Sequence, residues 1–248
     1  MRSATQNWTR PIHYMKCDLA NFFVSIDKRP LSAQLRARIP EGWWQDLALQ
    51  ILWHDPRVDC EVRCPPWLFG RVPRHKRLAE QPPHRGLPIG NLSSQFFANI
   101  YLDALDQFVK HKLRARHYIR YVDDFVLLHK SPQQLNAWRV EIEGLLSTLN
   151  ARLNPSKTII QPVDRGVDFV GHVIKPWRTT ARRRIVGEAV RRIEDAPEED
   201  LMTVANSYLG LLRQSSHSRR DRARVARAIL RRGRPVNAAL TKTYQSRR

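Results

Sequence analysis

Tyr118-Ile119-Arg120-Tyr121-Val122-Asp123-Asp124-Phe125-Val126-Leu127-Leu128 decides how the rest of the chain is read. Two adjacent carboxylates stand between two runs of bulky residues. Val, Ile, Tyr and Phe favour strands, and paired Asp favours a tight turn. The stretch predicts a β-hairpin with two acids at its tip. Side chains alternate faces along a strand, so Asp123 and Asp124 point different ways and need not play equal parts. An Asp pair also serves simply as a turn former. The apolar flanks of a basic chain give two carboxylates no structural task, whereas a hard ion such as Mg²⁺ takes oxygen ligands.

The chain has 248 residues, enough for one domain or two small ones with a sizeable core. Lys and Arg number 43 against 23 Asp and Glu, a formal net charge of +20. That excess points to a polyanion, either nucleic acid or an anionic membrane. No run approaches the ~20 apolar residues of a membrane span. Met1-Arg2-Ser3-Ala4-Thr5-Gln6-Asn7 lacks the apolar core of a signal peptide. Nucleic acid, met in the cytoplasm, is therefore the expected partner. Cys17, Cys60 and Cys64 do not suggest a disulfide framework.

Outward from the hairpin, His13-Tyr14-Met15-Lys16-Cys17-Asp18 reads as a strand ending in an acid, before a turn and Phe22-Phe23. Asp18 is a candidate partner of the hairpin acids, or else a helix N-cap. Residues 31–53 predict helix, broken at Pro40-Glu41-Gly42. Residues 54–86, rich in Pro, His, Arg and Trp, read as an irregular loop that could hold a hairpin. Cys60-x-x-x-Cys64 there has the wrong spacing for a zinc knuckle or ribbon. Gly86-Leu87-Pro88-Ile89-Gly90-Asn91-Leu92-Ser93-Ser94-Gln95 is a polar loop opening a helix over 91–113, with Asn91 or Ser93 as cap. It suits a phosphate or nucleotide, or is a plain capped start. Ser131-Pro132 opens a second helix over 131–152. Asn154-Pro155-Ser156-Lys157 is a turn before the strand Thr158-Ile159-Ile160, and Val167–Ile174 is a strand pair bending at Gly171. Residues 175–248 carry 19 basic and 7 acidic side chains, +12 of the total +20. Three helices over about 185–195, 199–213 and 218–232 predict a basic lobe for phosphates.

Taken in order, these pieces resemble the reverse transcriptase family over roughly residues 13–215. Lys16 to Phe23 is similar to its first catalytic palm motif, Gly86 to Gln95 to its template and nucleotide loop, and Tyr121-Val122-Asp123-Asp124 to its tyrosine–x–Asp-Asp box. Leu153-Asn154-Pro155-Ser156-Lys157-Thr158 resembles the lysine motif, and Asp168-Phe169-Val170-Gly171 the primer grip. The Ile89-Gly90…Ser94-Gln95 form of the loop is similar to enzymes of diversity-generating retroelements, which work with a small basic accessory protein.

The resemblance implies an α+β fold: an antiparallel palm sheet backed by helices over residues 1–178, with partial fingers, and a basic helical thumb over 179–248. It implies an RNA-directed DNA polymerase acting on an RNA template, a DNA primer and dNTPs. Asp18, Asp123 and Asp124 hold two Mg²⁺ ions, Asp124 as the secondary ligand. Phe23 excludes a ribose 2′-OH, Ile89, Gly90 and Gln95 lie near the forming base pair, and Lys157 protonates leaving pyrophosphate. Phe169, Val170 and Gly171 form the primer grip. One departure stands out. The family's triphosphate-holding basic fingers precede the first palm motif, and only 17 residues precede Asp18 here. Weak dNTP binding is the expectation. Two competing readings are a nucleic-acid-binding protein descended from such an enzyme with impaired catalysis, and a metal nuclease, which has no use for Phe23 or the primer-grip strands.

Overall fold

Strand β1 (His13–Asp18) runs through the middle of the first sheet, with Tyr14, Met15 and Cys17 buried. The computed structural model describes residues 1–245 apart from Trp8, Asp59 and Val62. After β1 come α1 (Phe22–Ser25), α2 (Lys28–Arg38), α3 (Trp43–Trp53) and α4 (Pro66–Gly70). The break between α2 and α3 falls where Pro40 and Gly42 predict it. Then α5 (Leu92–Gln107) leads to the acid hairpin, β2 (Tyr118–Tyr121) and β3 (Asp124–His129), followed by α6 (Pro132–Thr148) and β4 (Ile159–Pro162).

The sheet order is β2-β3-β1-β4, and β3 is antiparallel to both its neighbours. Phe125, Val126, Leu127 and Leu128 are all buried, as an interior strand covered on both faces requires. Helices α2, α5 and α6 pack their apolar stripes on one face of this sheet, giving a core with Met15, Cys17, Leu31, Tyr101, Phe125, Leu127, Ile142 and Leu146. Ser131 caps α6 by accepting from Gln134 N at 3.2 Å, with Pro132 in the first turn. The helix stops at Thr148, short of residue 152, because the chain turns left-handed at Asn150 (φ 54). A five-residue π turn, Phe108–Lys112, extends α5.

The hairpin anticipated within 54–86 is absent among the described residues. That segment holds α4 and the 3₁₀ turns Arg74–Lys76 and Leu78–Glu80. Its many prolines remove the N–H donors that a strand ladder needs. It is tied down at its end: Lys28 N donates to His84 O at 2.9 Å, and Gly86 N to Ile26 O at 2.9 Å. Gly86 (φ 91) has Leu78 and Val24 so close that a Cβ has no room.

Asp27, fully buried, holds this junction. It caps α2 through Arg29 N at 2.9 Å, takes the Arg29 guanidinium at 2.6 Å, and accepts from Asn150 Nδ2 at 3.1 Å. Burial alone pushes its carboxyl up; the Arg29 bonds outweigh this and hold it below the usual range. A depressed carboxyl stabilises the fold above the ordinary Asp value near ~4 and loses that stabilisation as pH falls through the lower folded value. Asp27→Ala is expected to cost about 2–4 kcal/mol at pH 7. In thermal melts the gap from the parent protein is expected to close on the acid side. A gap independent of pH down to 2 contradicts the assignment.

Contacts divide the chain into two compact units, the first being Met1–Thr5 with Ile12–Gln161, the second Gln6–Pro11 with Pro162–Arg248. The second unit holds the antiparallel sheet β5 (Val167–Phe169), β6 (His172–Lys175) and β7 (Arg178–Ala181). It continues with α7 (Arg183–Asp195), α8 (Leu201–Arg213) and α9 (Arg219–Arg231). Val186, Ala189, Ile193, Leu209, Val225 and Ile229 form its core, leaving the Arg residues outside. The contact division falls at Pro162; among the described residues β5–β7 pair with one another and not with the first sheet. Residues 246–248 of the predicted basic lobe lie outside the described residues.

Candidate active site

The register of β1 against β3 sets Asp18 directly opposite Asp124. Asp123 sits one residue earlier, in the turn after β2. Val122 precedes it with φ 55, a left-handed conformation that costs a β-branched residue free energy. The turn is held from behind by Arg120, which donates to Val122 O at 2.9 Å. The same guanidinium binds both Asp106 oxygens, at 2.9 and 2.6 Å, and Tyr118 Oη donates to Asp106 at 2.6 Å. Asp106 belongs to α5, so a helix buried in the core braces the acid turn.

Asp18 is not a helix cap. The cap position of α1 is Asn21, and Asp18 instead takes Lys157 Nζ at 2.8 Å and Asn154 Nδ2 at 3.3 Å. Asn154 N also donates to Asp18 O at 2.7 Å, which seats the lysine turn beside the acid. Asp124 has Lys16 Nζ at 3.6 Å. Burial raises the Asp123 carboxyl, and the charges of Asp18 and Asp124 raise it further. Burial also raises Asp124, with Asp18 adding to it against the pull of Lys16. The hydrogen bond to Asp18 raises Lys157. At Asp123 and Asp124 burial and like charge outweigh the pull of the lysines.

A cavity of about 690 Å³ opens on this cluster, lined by Asp18, Asp123, Phe22, Phe23, Ile89, Asn154 and Lys157 among others. Asp124 does not line it. Gln95 does not reach it either: one helical turn into α5, it lines a separate cavity of about 510 Å³ with Asn99, Tyr121 and Val122. Gly90 (φ 109) stands in open space, and Ile89 is 79 % exposed. Asn91 is the cap residue of α5, without a side-chain cap bond. In the second unit Val170 (φ 47) and Gly171 (φ 80) form the two-residue tip of the β5–β6 hairpin between the paired Phe169 and His172. Both positive φ values match a type I′ turn.

All the acids at the cavity offer hard oxygen donors, which suits Mg²⁺. Among the described residues no three His, Cys, Asp or Glu side chains converge tightly enough to hold an ion as they stand. Cys60 and Cys64 are exposed free thiols. Among the described residues no helix is long and apolar enough to cross a membrane. Sequence reading missed the Arg120–Asp106 brace, although Arg120 stands inside the deciding stretch. Arg120→Lys keeps the charge and loses the fork, so it is expected to destabilise the fold by about 1–2 kcal/mol in thermal melts. An unchanged melting curve refutes the brace.

An antiparallel sheet that gathers carboxylates on neighbouring strands, with helices behind it, is the architecture of a template-directed polymerase palm. A family model described as reverse transcriptase (RNA-dependent DNA polymerase) matches residues 2–174, and the chain belongs to that family. Protein YkfC of Escherichia coli K12 is 28% identical over 237 residues, covering 82% of this chain and 56% of that protein. Protein P of hepatitis B virus genotype C is 31% identical over 102 residues, 41% of this chain and 12% of that protein. Telomerase from Candida albicans, solved in complex with the TWJ fragment of telomeric RNA, superposes with TM-score 0.47 at 12% identity, covering 92% of this chain and 43% of that one. The chain thus spans little more than half the length of the first of these curated relatives.

Proposed function

We propose that this chain is the catalytic part of an RNA-directed DNA polymerase that copies an RNA template into cDNA by two-metal phosphoryl transfer. The observation that carries the reading is the meeting of Asp18 and Asp123 at one cavity, with Asp124 paired to Asp18 across the sheet. In this reading Asp18 and Asp123, with Asp124 as the secondary ligand, would hold Mg²⁺, which would supply charge stabilisation to the phosphoryl transfer. Phe23 meets the sugar of the incoming dNTP and Ile89 the base. Lys157 Nζ, now on Asp18, gives its proton to the leaving pyrophosphate. Phe169, Val170 and Gly171 hold the primer end, and Gly90 lets the template loop approach. Residues 1–178 act as palm and partial fingers, and the Arg-rich helices of 179–248 act as the thumb on the duplex phosphates.

The Ile89-Gly90…Gln95 loop supports the finer reading of a diversity-generating retroelement enzyme, cytoplasmic and served by a small basic accessory protein. Primer extension on an RNA template with Mg²⁺ and dNTPs tests the proposal. Incorporation that depends on Asp123 supports it. Tight binding of the primed template without incorporation supports the impaired, binding-only alternative.

A further inference from the structure

We infer that a second copy of this chain docks on the outer face of α3, the two α3 helices pairing antiparallel about a twofold axis near Leu47. The inference uses none of the catalytic acids and stands apart from the polymerase reading.

Trp43, Trp44, Leu47 and Ile51 share that face and are all exposed, the two tryptophans by 62 % and 63 %. Gln45, Leu49 and Leu52 are buried on the opposite face, where α3 packs on α2 and α5. A solvated helix keeps its outer face polar, and this one does not. At these exposures the four side chains present roughly 500 Å² of apolar surface, as much as the largest patch of an ordinary monomer. The two indoles stack with ring centroids 3.7 Å apart. They make a stiff knob that loses little freedom on docking. Two turns further along the same face, α3 borders a hollow of about 340 Å³. Leu47 and Ile51 form its wall, and the buried Leu52, Leu87 and Phe97 its floor.

Knob and hollow on one face suit a second copy. Trp44 and Ile51 are seven residues apart, about 10 Å along the helix. When two such helices run antiparallel about an axis near Leu47, the knob of each lies over the hollow of the other. A twofold contact requires this self-complementarity, and it closes at two copies. Charge points the same way. The chain carries +20, yet no Lys or Arg stands between Arg38 and Arg57, where Glu41, Asp46 and Asp55 do. Two copies meet here without the repulsion that Arg-rich surfaces would impose. The same acids turn away a nucleic acid or an anionic membrane. The apolar face and its polar rim approach the ~800 Å² per partner of a standard interface, so a dimer in the micromolar range is expected.

Sedimentation velocity of the whole chain between about 1 and 100 µM tests the inference. The parent is expected to pass from monomer to dimer across that range. Trp44→Ala removes the knob, and Ile51→Glu puts a charge at the hollow. Each breaks both halves of a twofold contact and is expected to weaken the dimer at least about a hundredfold. Mixed in equal amounts, the two variants restore one half, because the hollow of the first takes Trp44 of the second. The mixed dimer is expected to form about tenfold more tightly than either variant alone. Both side chains are exposed, so the variants are expected to melt with the parent. Val140→Glu, which alters an exposed apolar side chain of α6, serves as the control and is expected to dimerise as the parent does. A parent that stays monomeric at the highest concentration overturns the inference, as does a dimer that Trp44→Ala leaves intact. No gain on mixing overturns the twofold pairing of knob and hollow. Unchanged sedimentation with weakened RNA binding gives the face to nucleic acid and also overturns it. Failure of the polymerase reading looks different: no primer is extended, yet the chain still dimerises through Trp44 and Ile51.

Discussion

Asp123→Asn is expected to abolish primer extension, with single-nucleotide incorporation on a primed RNA template falling by at least about a thousandfold. Asn keeps the shape of Asp and tolerates turns, so the hairpin stays. What goes is one negative oxygen at the cavity where Asp18 also points. Stability is expected to move the other way. Burial and the neighbouring charges raise the Asp123 carboxyl. A raised carboxyl stabilises the folded state below its ordinary value and loses that contribution as pH rises through the folded one, so at pH 7 its charge is a burden. The variant should therefore melt no lower than the parent while losing activity, a separation that general misfolding cannot produce. Asp124→Asn should cost less activity, because Asp124 does not line the cavity, and it should release Lys16. If Asp123→Asn extends primers at a tenth of the parent rate or better, the acids are not the catalytic centre. The melting curves, run beside the kinetics, decide whether any loss is chemical.

The parts of this site legible in the sequence are those set by local rules. Strand-forming runs around an Asp pair made the hairpin, with Asp123 in its turn and Asp124 opening β3. Ser131-Pro132 made a capped helix start, and the 160s a turning strand pair. The parts that escaped depend on distant packing. Arg120 finds Asp106 only because α5 lies behind β2, and nothing in the helical stripe around Asp106 marks it. Gln95 reads as a neighbour of Ile89, but the helix begins at Leu92 and its rotation carries Gln95 toward Tyr121. β7, Arg178-Thr179-Thr180-Ala181, is a strand by pairing with β6 rather than by any apolar alternation of its own. Lys76, which lines the Asp18 cavity, sits in a proline-rich segment whose course follows from tertiary contacts such as Lys28 with His84, which no local pattern encodes.

Phe23→Ala is expected to raise ribonucleotide incorporation relative to deoxyribonucleotide by about a hundredfold, measured as the ratio of kcat/KM for GTP and dGTP on one primed RNA. A gate that rejects a single hydroxyl must be stiff, and the stiffness here has a source. Phe23 packs edge-on to Phe22 at 5.5 Å, and Phe22 lies in the core, 6.4 Å from Tyr101. Leu87 N donates to Phe23 O at 2.8 Å, so the main chain under the ring is pinned to the loop that brings Ile89. That bond uses backbone atoms and survives the substitution, which should keep dGTP use within about tenfold of the parent. Phe22→Ala separates gate from support. It removes a core ring, costs about 3–4 kcal/mol of stability, and should leave the sugar preference closer to the parent's. An unchanged ratio in Phe23→Ala removes the gate from Phe23. A ratio that shifts equally in both variants assigns it to the aromatic pair, with Phe22 holding the ring that meets the sugar.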